Sequence, residues 1–377
     1  MSGIYIHIPF CKQACFYCDF HFSTSLKKKN ELINCLISEI KLRKNELNTN
    51  VIQTIYFGGG TPSLLQLSEI NQIIDAVYDN YEVVSNPEIT LEANPDDLTS
   101  SKIVELATSK INRLSIGIQS FSDDDLKLMN RAHNTQEAIS CLTEATHYFD
   151  NISVDLIYGI PGLSNKQWRK NIDIVLSSGI SHISSYALTV EPNTALYSLI
   201  KKGTINNVND MQAQEQFYIL IEELSKHNFT HYELSNFAKD GALSINNSSY
   251  WQGKSYLGIG PSAHSFDGKQ RSWNVKNNSK YISAIQQNKL PIERELLSIT
   301  DQYNEYIMTG LRTIWGVSLD KVTREFGKEY LTYLLLQSEK YRAEELLYIE
   351  DEILKTTQKG KFLSDGISAD LFKLDLS

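Results

Sequence analysis

Three cysteines, Cys11, Cys15 and Cys18, fall inside the stretch YIHIPFCKQACFYCDF at residues 5–20, in a chain that has five cysteines in all. Thiolates are soft ligands that suit zinc or iron–sulfur clusters. A closed structural zinc site takes four ligands, usually from two cysteine pairs. Here there is no second pair, and His7, Asp19 or His21 would have to complete the set. A 4Fe–4S cube ordinarily takes four cysteines. With three, one iron keeps an open position for the oxygen and nitrogen atoms of a substrate or cofactor. The spacing Cys-x3-Cys-x2-Cys suits one loop that wraps three corners of a cube. Cys35 and Cys141 sit in apolar-periodic helical stretches and read as small core residues.

The elements that must hold this loop are legible in the first 190 residues. GIYIHI (3–8) alternates as a strand, and residues 25–47 set Ile33, Leu36, Ile37 and Ile40 on one helical face. VIQTIYF (51–57) is a strand that runs into GGGTPS, followed by a helix at 64–81. EITLEAN (88–94) ends at Pro95, INRLSIGIQ (111–119) follows, and a helix spans 134–149. ISVDLIYGIPG (152–162) is a fifth strand, Ser164 and Gln167 form a capping box for the next helix, and ISHISSYALTV (180–190) is a sixth strand. Six β-α units predict an α/β fold with a parallel sheet, either a doubly wound open sheet or a barrel. In both, ligands collect at the C-terminal strand ends. Those ends carry Cys11 to Cys18, Gly58 to Thr61, Glu92, Gln119, Asp155 and Ala187, which predicts one shared site.

Beyond the sixth strand, 210–227 reads as a helix and HYELSNFA (231–238) as a strand that closes a first domain over 1–238. The stretch 239–300 is rich in Gly, Asn and Ser and reads as an irregular connection carrying the motifs NNSSYW and GIGPSAHSF. From residue 301, helical patterns at 301–314, 318–326 and 328–343 precede strand-like pieces at 346–350 and 353–357. This resembles a small winged-helix-like α+β domain over 301–377, placed to pack against or cover the mouth of the first. Its acids outnumber its bases, which disfavours DNA binding.

The bulk numbers set further bounds. Of 377 residues, 41% are hydrophobic and 21% charged, as in an ordinary folded protein. The net charge of −9 argues against a general nucleic-acid binder. No run approaches the ~18 apolar residues of a membrane span, and Met1-Ser2-Gly3-Ile4 lacks the features of a signal peptide. A cytoplasmic location is expected, with peripheral membrane contact left open.

The cysteine motif after a first strand resembles that of radical S-adenosylmethionine (SAM) enzymes, which implies a partial (β/α)6 TIM-like barrel. In that family the open iron chelates the amino and carboxylate groups of SAM, and cleavage of the sulfonium yields a 5′-deoxyadenosyl radical. The resemblance narrows to the branch of oxygen-independent coproporphyrinogen III oxidase and runs through YIHIPFC, GGGTP, RLSIGIQSF, DLIYGIPG and GIGPSAHSF. It implies that Cys11, Cys15 and Cys18 hold the cluster, that Tyr5 contacts SAM, and that Tyr17 lies near the adenine. It further implies that Gly59, Gly60 and Thr61 meet the ammonium and carboxylate, and that Glu92 and Gln119 hold polar groups of SAM. Arg131 would pair with the carboxylate, Asp155 with the ribose hydroxyls, and the Ala187 backbone with adenine. By residue type alone, Ala187 fits core packing equally well; core packing is the other reading of Tyr5, and a surface ion pair that of Arg131.

Two subfamilies share these features: the oxidase, and the HemW type understood as a heme chaperone. The oxidase pattern has a further cysteine two residues after the third ligand, where this chain has Phe20. It also has a long N-terminal extension, whereas this chain begins ten residues before Cys11. YALTVEPNT and YELSNFA resemble the HemW branch. The expected reading is therefore a chaperone that binds heme as cargo and delivers it to acceptor proteins, with no catalytic residues assigned. The alternative is a radical enzyme of the oxidase type, or one acting on another substrate, with an electron donor as partner. Homodimerisation stays open. One position departs from the HemW pattern His-Asn-x-x-Tyr-Trp: Asn246 stands in place of the histidine, in Asn246-Asn247-Ser248-Ser249-Tyr250-Trp251. His264 is the next histidine downstream in the sequence. Imidazole is a good axial ligand for heme iron, whereas a carboxamide is a poor one.

Overall fold

The computed structural model describes residues 2–47, 51–239 and 241–374. Six strands, β1 (Ser2–Ile8), β2 (Val51–Gly59), β3 (Glu82–Ala93), β4 (Arg113–Gln119), β5 (Ile152–Tyr158) and β6 (His182–Ala187), pair in chain order, each parallel to the next. Right-handed crossovers that always step the same way keep their helices on one face. The order has no reversal among these six, so the doubly wound alternative falls and the partial (β/α)6 barrel stands.

Side-chain alternation shows why the sheet curves as it does. On β1 the residues Ile4, Ile6 and Ile8 are fully buried under the helices, while Gly3, Tyr5 and His7 turn to the other face. On β4 the buried set is Leu114, Ile116 and Ile118, and the inward set is Ser115, Gly117 and Gln119. The helix-facing surface is thus continuous aliphatic core, and the inner surface is small or polar. An interior lined this way stays open to solvent and ligands.

The sheet is larger than the six units. HYELSNFA forms a hairpin, β7 (Thr230–Glu233) and β8 (Asn236–Ala238), in place of one strand; β8 pairs antiparallel with β6, and β7 lies outside it. The stretch 239–300 is regular where the sequence suggested an irregular connection. It holds the helix Ile245–Trp251, β9 (Tyr256–Ile259), β10 (His264–Phe266), β11 (Gln270–Asn274), the helix Asn278–Gln286 and β12 (Ile292–Leu296). β9 pairs parallel with β1, and β10 to β12 continue antiparallel, giving this sheet twelve strands among the described residues. These strands are three to five residues long, too short for a period-two pattern to declare itself.

A buried ion-pair network fastens this addition to the barrel. Arg43, 2% exposed, donates to Glu39 (3.0 Å), the Gly258 carbonyl (2.7 Å) and Ser265 Oγ (3.1 Å). Glu39 also accepts from Tyr281 Oη (2.6 Å), Asn274 Nδ2 (2.7 Å) and the Gly260 N–H (2.8 Å). Each Glu39 oxygen accepts two hydrogen bonds, which is how a buried carboxylate of this kind is tolerated.

The C-terminal module has the expected helices, Ile299–Leu311, Leu319–Phe326 and Lys328–Ala343. Its three-stranded sheet comprises β13 (Val317–Ser318), β14 (Leu347–Glu350) and β15 (Ile353–Thr356). It has its own core of Tyr303, Ile307, Leu334 and Leu354. It docks on the β7–β8 edge through Leu234 N–H to the Arg312 carbonyl (2.9 Å) and Ile314 N–H to the Tyr232 carbonyl (3.0 Å). None of its described residues lines either of the two large cavities, so it packs on the flank and does not cover the mouth.

Candidate cluster and ligand site

The cysteine loop begins where β1 ends. Its two ends are zipped: Cys11 N–H donates to the Ser23 carbonyl (3.1 Å) and Ser23 N–H to the Pro9 carbonyl (2.9 Å). Its outer backbone is tied down by neighbours. Phe16 N–H donates to the Met129 carbonyl (3.1 Å), Leu196 N–H to the Phe16 carbonyl (2.7 Å), and Asn130 Nδ2 to the Ala14 carbonyl (2.7 Å). Lys12 bridges to Asp96 and Asp97. With these backbone groups satisfied by protein, the thiols of Cys11, Cys15 and Cys18 are left to line a cavity of about 470 Å³. Burial pushes the Cys11 thiol up and raises Cys18 to about 11.

Among the described residues no three His, Cys, Asp or Glu side chains converge on one ion-sized point. The zinc alternative needs such a point, whereas a cube takes its thiolates at separate corners. His7 is in addition committed elsewhere, with Nε2 at 3.0 Å from the His21 carbonyl and Nδ1 at 3.2 Å from Tyr5 Oη. Three free thiols from one loop beside a cavity fit three corners of a cube.

The same cavity is lined by Tyr17, Gly59, Gly60, Thr61, Glu92, Gln119, Arg131, Asp155 and Ala187. Residues from six strands and the loops after them therefore meet, as the strand-end argument predicts. Gly60 is required by close approach: a Cβ there would lie 2.7 Å from the Phe10 carbonyl oxygen and 2.8 Å from that of Ile8. Gln119 has φ +68° where the register of β4 slips against β5, so the strand end turns its amide into the cavity. Strained backbone of this kind costs about 1 kcal/mol or more and clusters at binding sites.

Arg131 is not a surface ion pair. One guanidinium nitrogen donates to Asn94 Oδ1 and to the Gly117 carbonyl (both 2.7 Å), another lies 3.3 Å from Cys15 Sγ, and Nε is buried without a partner among the described residues. Glu92 accepts from Tyr56 Oη (2.8 Å) and the Gly59 N–H (3.2 Å). Asp155 accepts from Ser115 Oγ at 3.3 Å. Neither carboxylate has a cation within ion-pair distance among the described residues. Burial, with mutual repulsion adding to it, raises Glu92 to about 7; burial raises Asp155 to about 6. Two half-buried carboxylates with no ion-pair contact among the described residues, beside an open cavity, are suited to a ligand that brings positive charge and hydroxyls.

Tyr5 sits at the border of this cavity. Its hydroxyl turns to His7, and it faces a second cavity next door. A buried phenol needs a hydrogen-bond partner, and His7 on the same strand face supplies it. Several lining residues went unread in the sequence. Ser115 and Gly117 precede Gln119 by four and two positions on the inward face of β4, so alternation alone would have found them. Asn94 holds both Arg131 and Thr61 (3.2 Å), and only the tertiary contacts show it.

A family model for the radical SAM superfamily matches residues 5–175, and one for the HemN C-terminal domain matches 297–363. The heme chaperone HemW of Bacillus subtilis (strain 168) is 34% identical, with 97% of this chain and 98% of that protein covered. The chain belongs to the HemW family. The heme chaperone HemW of Mycobacterium tuberculosis (strain CDC 1551 / Oshkosh) is 30% identical, over 97% of this chain and 93% of its own. Among solved structures, the coproporphyrinogen III oxidase HemN of Escherichia coli, a radical SAM enzyme, superposes with a TM-score of 0.85. That match covers 99% of this chain and 90% of HemN at 20% identity, a likeness of fold. Membership of the radical SAM superfamily implies a 4Fe–4S cluster and SAM, and the thiols, the orphaned Arg131 Nε and the two cation-free carboxylates fit that pair.

Proposed function

We propose that this protein carries heme and hands it to acceptor proteins. The observation that carries the reading is the similarity to proteins named heme chaperone along nearly the whole chain, both modules included. In this reading Cys11, Cys15 and Cys18 hold the cluster. Arg131 and the Gly59–Thr61 turn take the carboxylate and ammonium of SAM, Glu92 and Gln119 its polar groups, and Asp155 the ribose. Tyr17 and Ala187 lie against the adenine. When bound, the cluster and SAM supply the capacity for one-electron chemistry at a sulfonium. The chain's own part is to bind, orient and shield that pair. Heme is cargo, the acceptors are heme proteins in the same compartment, and the cytoplasm is the expected location. Among the described residues no helix is long and apolar enough to cross a membrane.

One feature favours a second reading, a radical enzyme with an electron donor. The polar set around the cavity is more than a structural cluster needs, since thiolates alone would hold that. The test is a hemin titration of cluster-reconstituted protein, followed by mixing with an apo-cytochrome. Saturable binding and transfer of the Soret band to the acceptor support the chaperone. Absence of binding, with reductant-dependent formation of 5′-deoxyadenosine, supports the enzyme.

A further inference from the structure

Beside the cysteine cavity lies a larger one, of about 640 Å³. That is within the roughly 300–1,000 Å³ of small-molecule sites. Its floor is the inner face of β1 at Gly3, Tyr5 and His7, and its far wall comes from the region of β9 to β11. Asp19 and Phe20 line both cavities, so the tail of the cysteine loop is the partition between them.

The lining has three kinds of group. Phe20, Tyr5, Tyr250 and Tyr256 give aromatic surface, with Phe20 69% and Tyr250 45% exposed and Tyr250 packed on Tyr256. Lys254 and Lys276 give cations without a carboxylate partner among the described residues; Arg271 is already paired with Glu305 at 2.9 Å. Three imidazoles complete the set: His7, His21 and His264. A flat apolar ligand with carboxylates at one edge and a metal at its centre matches all three kinds.

The imidazoles are not equivalent. Both ring nitrogens of His7 are engaged, as described above, and Nε2 of His21 is 2.7 Å from Asn278 Oδ1. The ring of His264 is held by stacking on Trp273, at 5.9 Å between centroids, and its nitrogens take no protein hydrogen bond among the described residues. Asn246 also lines this cavity, but its carboxamide oxygen accepts from Thr54 Oγ1 (2.8 Å). Trp251, next to Tyr250, is turned away: its Nε1 donates to Asn247 Oδ1 (2.8 Å) and Arg312 lies over its ring.

We infer that the larger cavity is the heme site of this chain, with His264 as axial ligand to the iron, the tyrosines and Phe20 against the macrocycle, and Lys254 and Lys276 on the propionates. The inference rests on the heme-carrying reading above and assigns its place. It puts heme and cluster on opposite sides of the Asp19–Phe20 partition. The open, exposed aromatic side suits a cargo that must leave again.

The test is a hemin titration of cluster-reconstituted protein followed by its Soret spectrum, for wild type, His264→Ala, His21→Ala and Lys254→Gln/Lys276→Gln. Cluster absorption and circular dichroism confirm that each variant is folded. The expected result is saturable binding by wild type and His21→Ala. His264→Ala should lose the imidazole-ligated spectrum and at least about tenfold in affinity, and free imidazole should restore the spectrum. The lysine variant should weaken binding with an unchanged spectrum. If His264→Ala binds as wild type does, or if His21→Ala instead loses the ligated spectrum, this site assignment is overturned while heme carriage stands. If wild type itself binds no hemin, heme carriage fails and this inference with it.

Discussion

Replacing Glu92 by Gln should trade ligand affinity for stability, and both sides can be worked from the structure. The carboxyl of Glu92 is raised from 4.5 to about 7 in the folded protein, mainly by burial. The folded state therefore binds the proton more tightly than the unfolded chain does. Wild-type stability is unaffected by this group below about pH 4.5, falls as pH rises from there to about 7, and levels off above. At about 1.4 kcal/mol per pKa unit, and discounted because the side chain borders a water-accessible cavity, the cost above pH 7 is on the order of 2 kcal/mol. Glutamine keeps the shape without the charge: its carbonyl oxygen can accept from the Gly59 N–H and its amide can donate to Tyr56 Oη. The variant without SAM should thus gain about that much over wild type at pH 8 and little at pH 5. SAM binding should move the other way, because a hydrogen bond to a charged group contributes about 1.5–3 kcal/mol, or ten- to a hundredfold in affinity. Wild-type affinity should itself fall as pH drops below about 7. Urea unfolding at the two pH values and calorimetric titration of SAM into cluster-reconstituted protein read both effects. Equal SAM affinity in variant and wild type at pH 8, or a pH-independent stability difference, would refute the placement of Glu92 as a buried carboxylate awaiting a cation.

Other outcomes follow from the same geometry. Alanine at Cys11, Cys15 or Cys18 should abolish the brown absorption of the reconstituted protein while circular dichroism is kept; an unchanged spectrum in all three would sink the cluster assignment. Gly60→Ala should press β2 away from the cysteine loop, because its Cβ meets two carbonyl oxygens below 3.0 Å. An overpacking cost of about 1–3 kcal/mol and reduced iron content are expected, and wild-type iron content would count against the tight approach. Arg43→Met should cost about 3–5 kcal/mol, since it strands Glu39 as a buried charge; a melting temperature equal to wild type would show that the network is dispensable.

The sequence determined the chemistry and the order of the main elements. Three thiols in one loop limit the bound group, and strands of seven or more residues with aliphatic alternation, such as β1 and β4, announce themselves. Acids inside such strands, Glu92 and Asp155, mark the inner face because nothing else explains a carboxylate there. The C-terminal helices were legible for the same reason, since long periodic segments average over local exceptions. What the sequence did not reveal depends on contacts far apart in the chain. The strands β9 to β12 are short and form because β1 offers an unpaired edge, not because their own pattern demands it. The direction of Tyr5 is set by a histidine partner, and the roles of Asn94 and Arg131 by atoms that only folding brings together. The larger cavity belongs to this second class. Its histidines, lysines and aromatics come from the first strand, the cysteine loop and a region more than two hundred residues later. Spacing along a chain carries no record of such a meeting, because it is fixed by sheet order and by the buried Arg43–Glu39 network that holds the added strands in place.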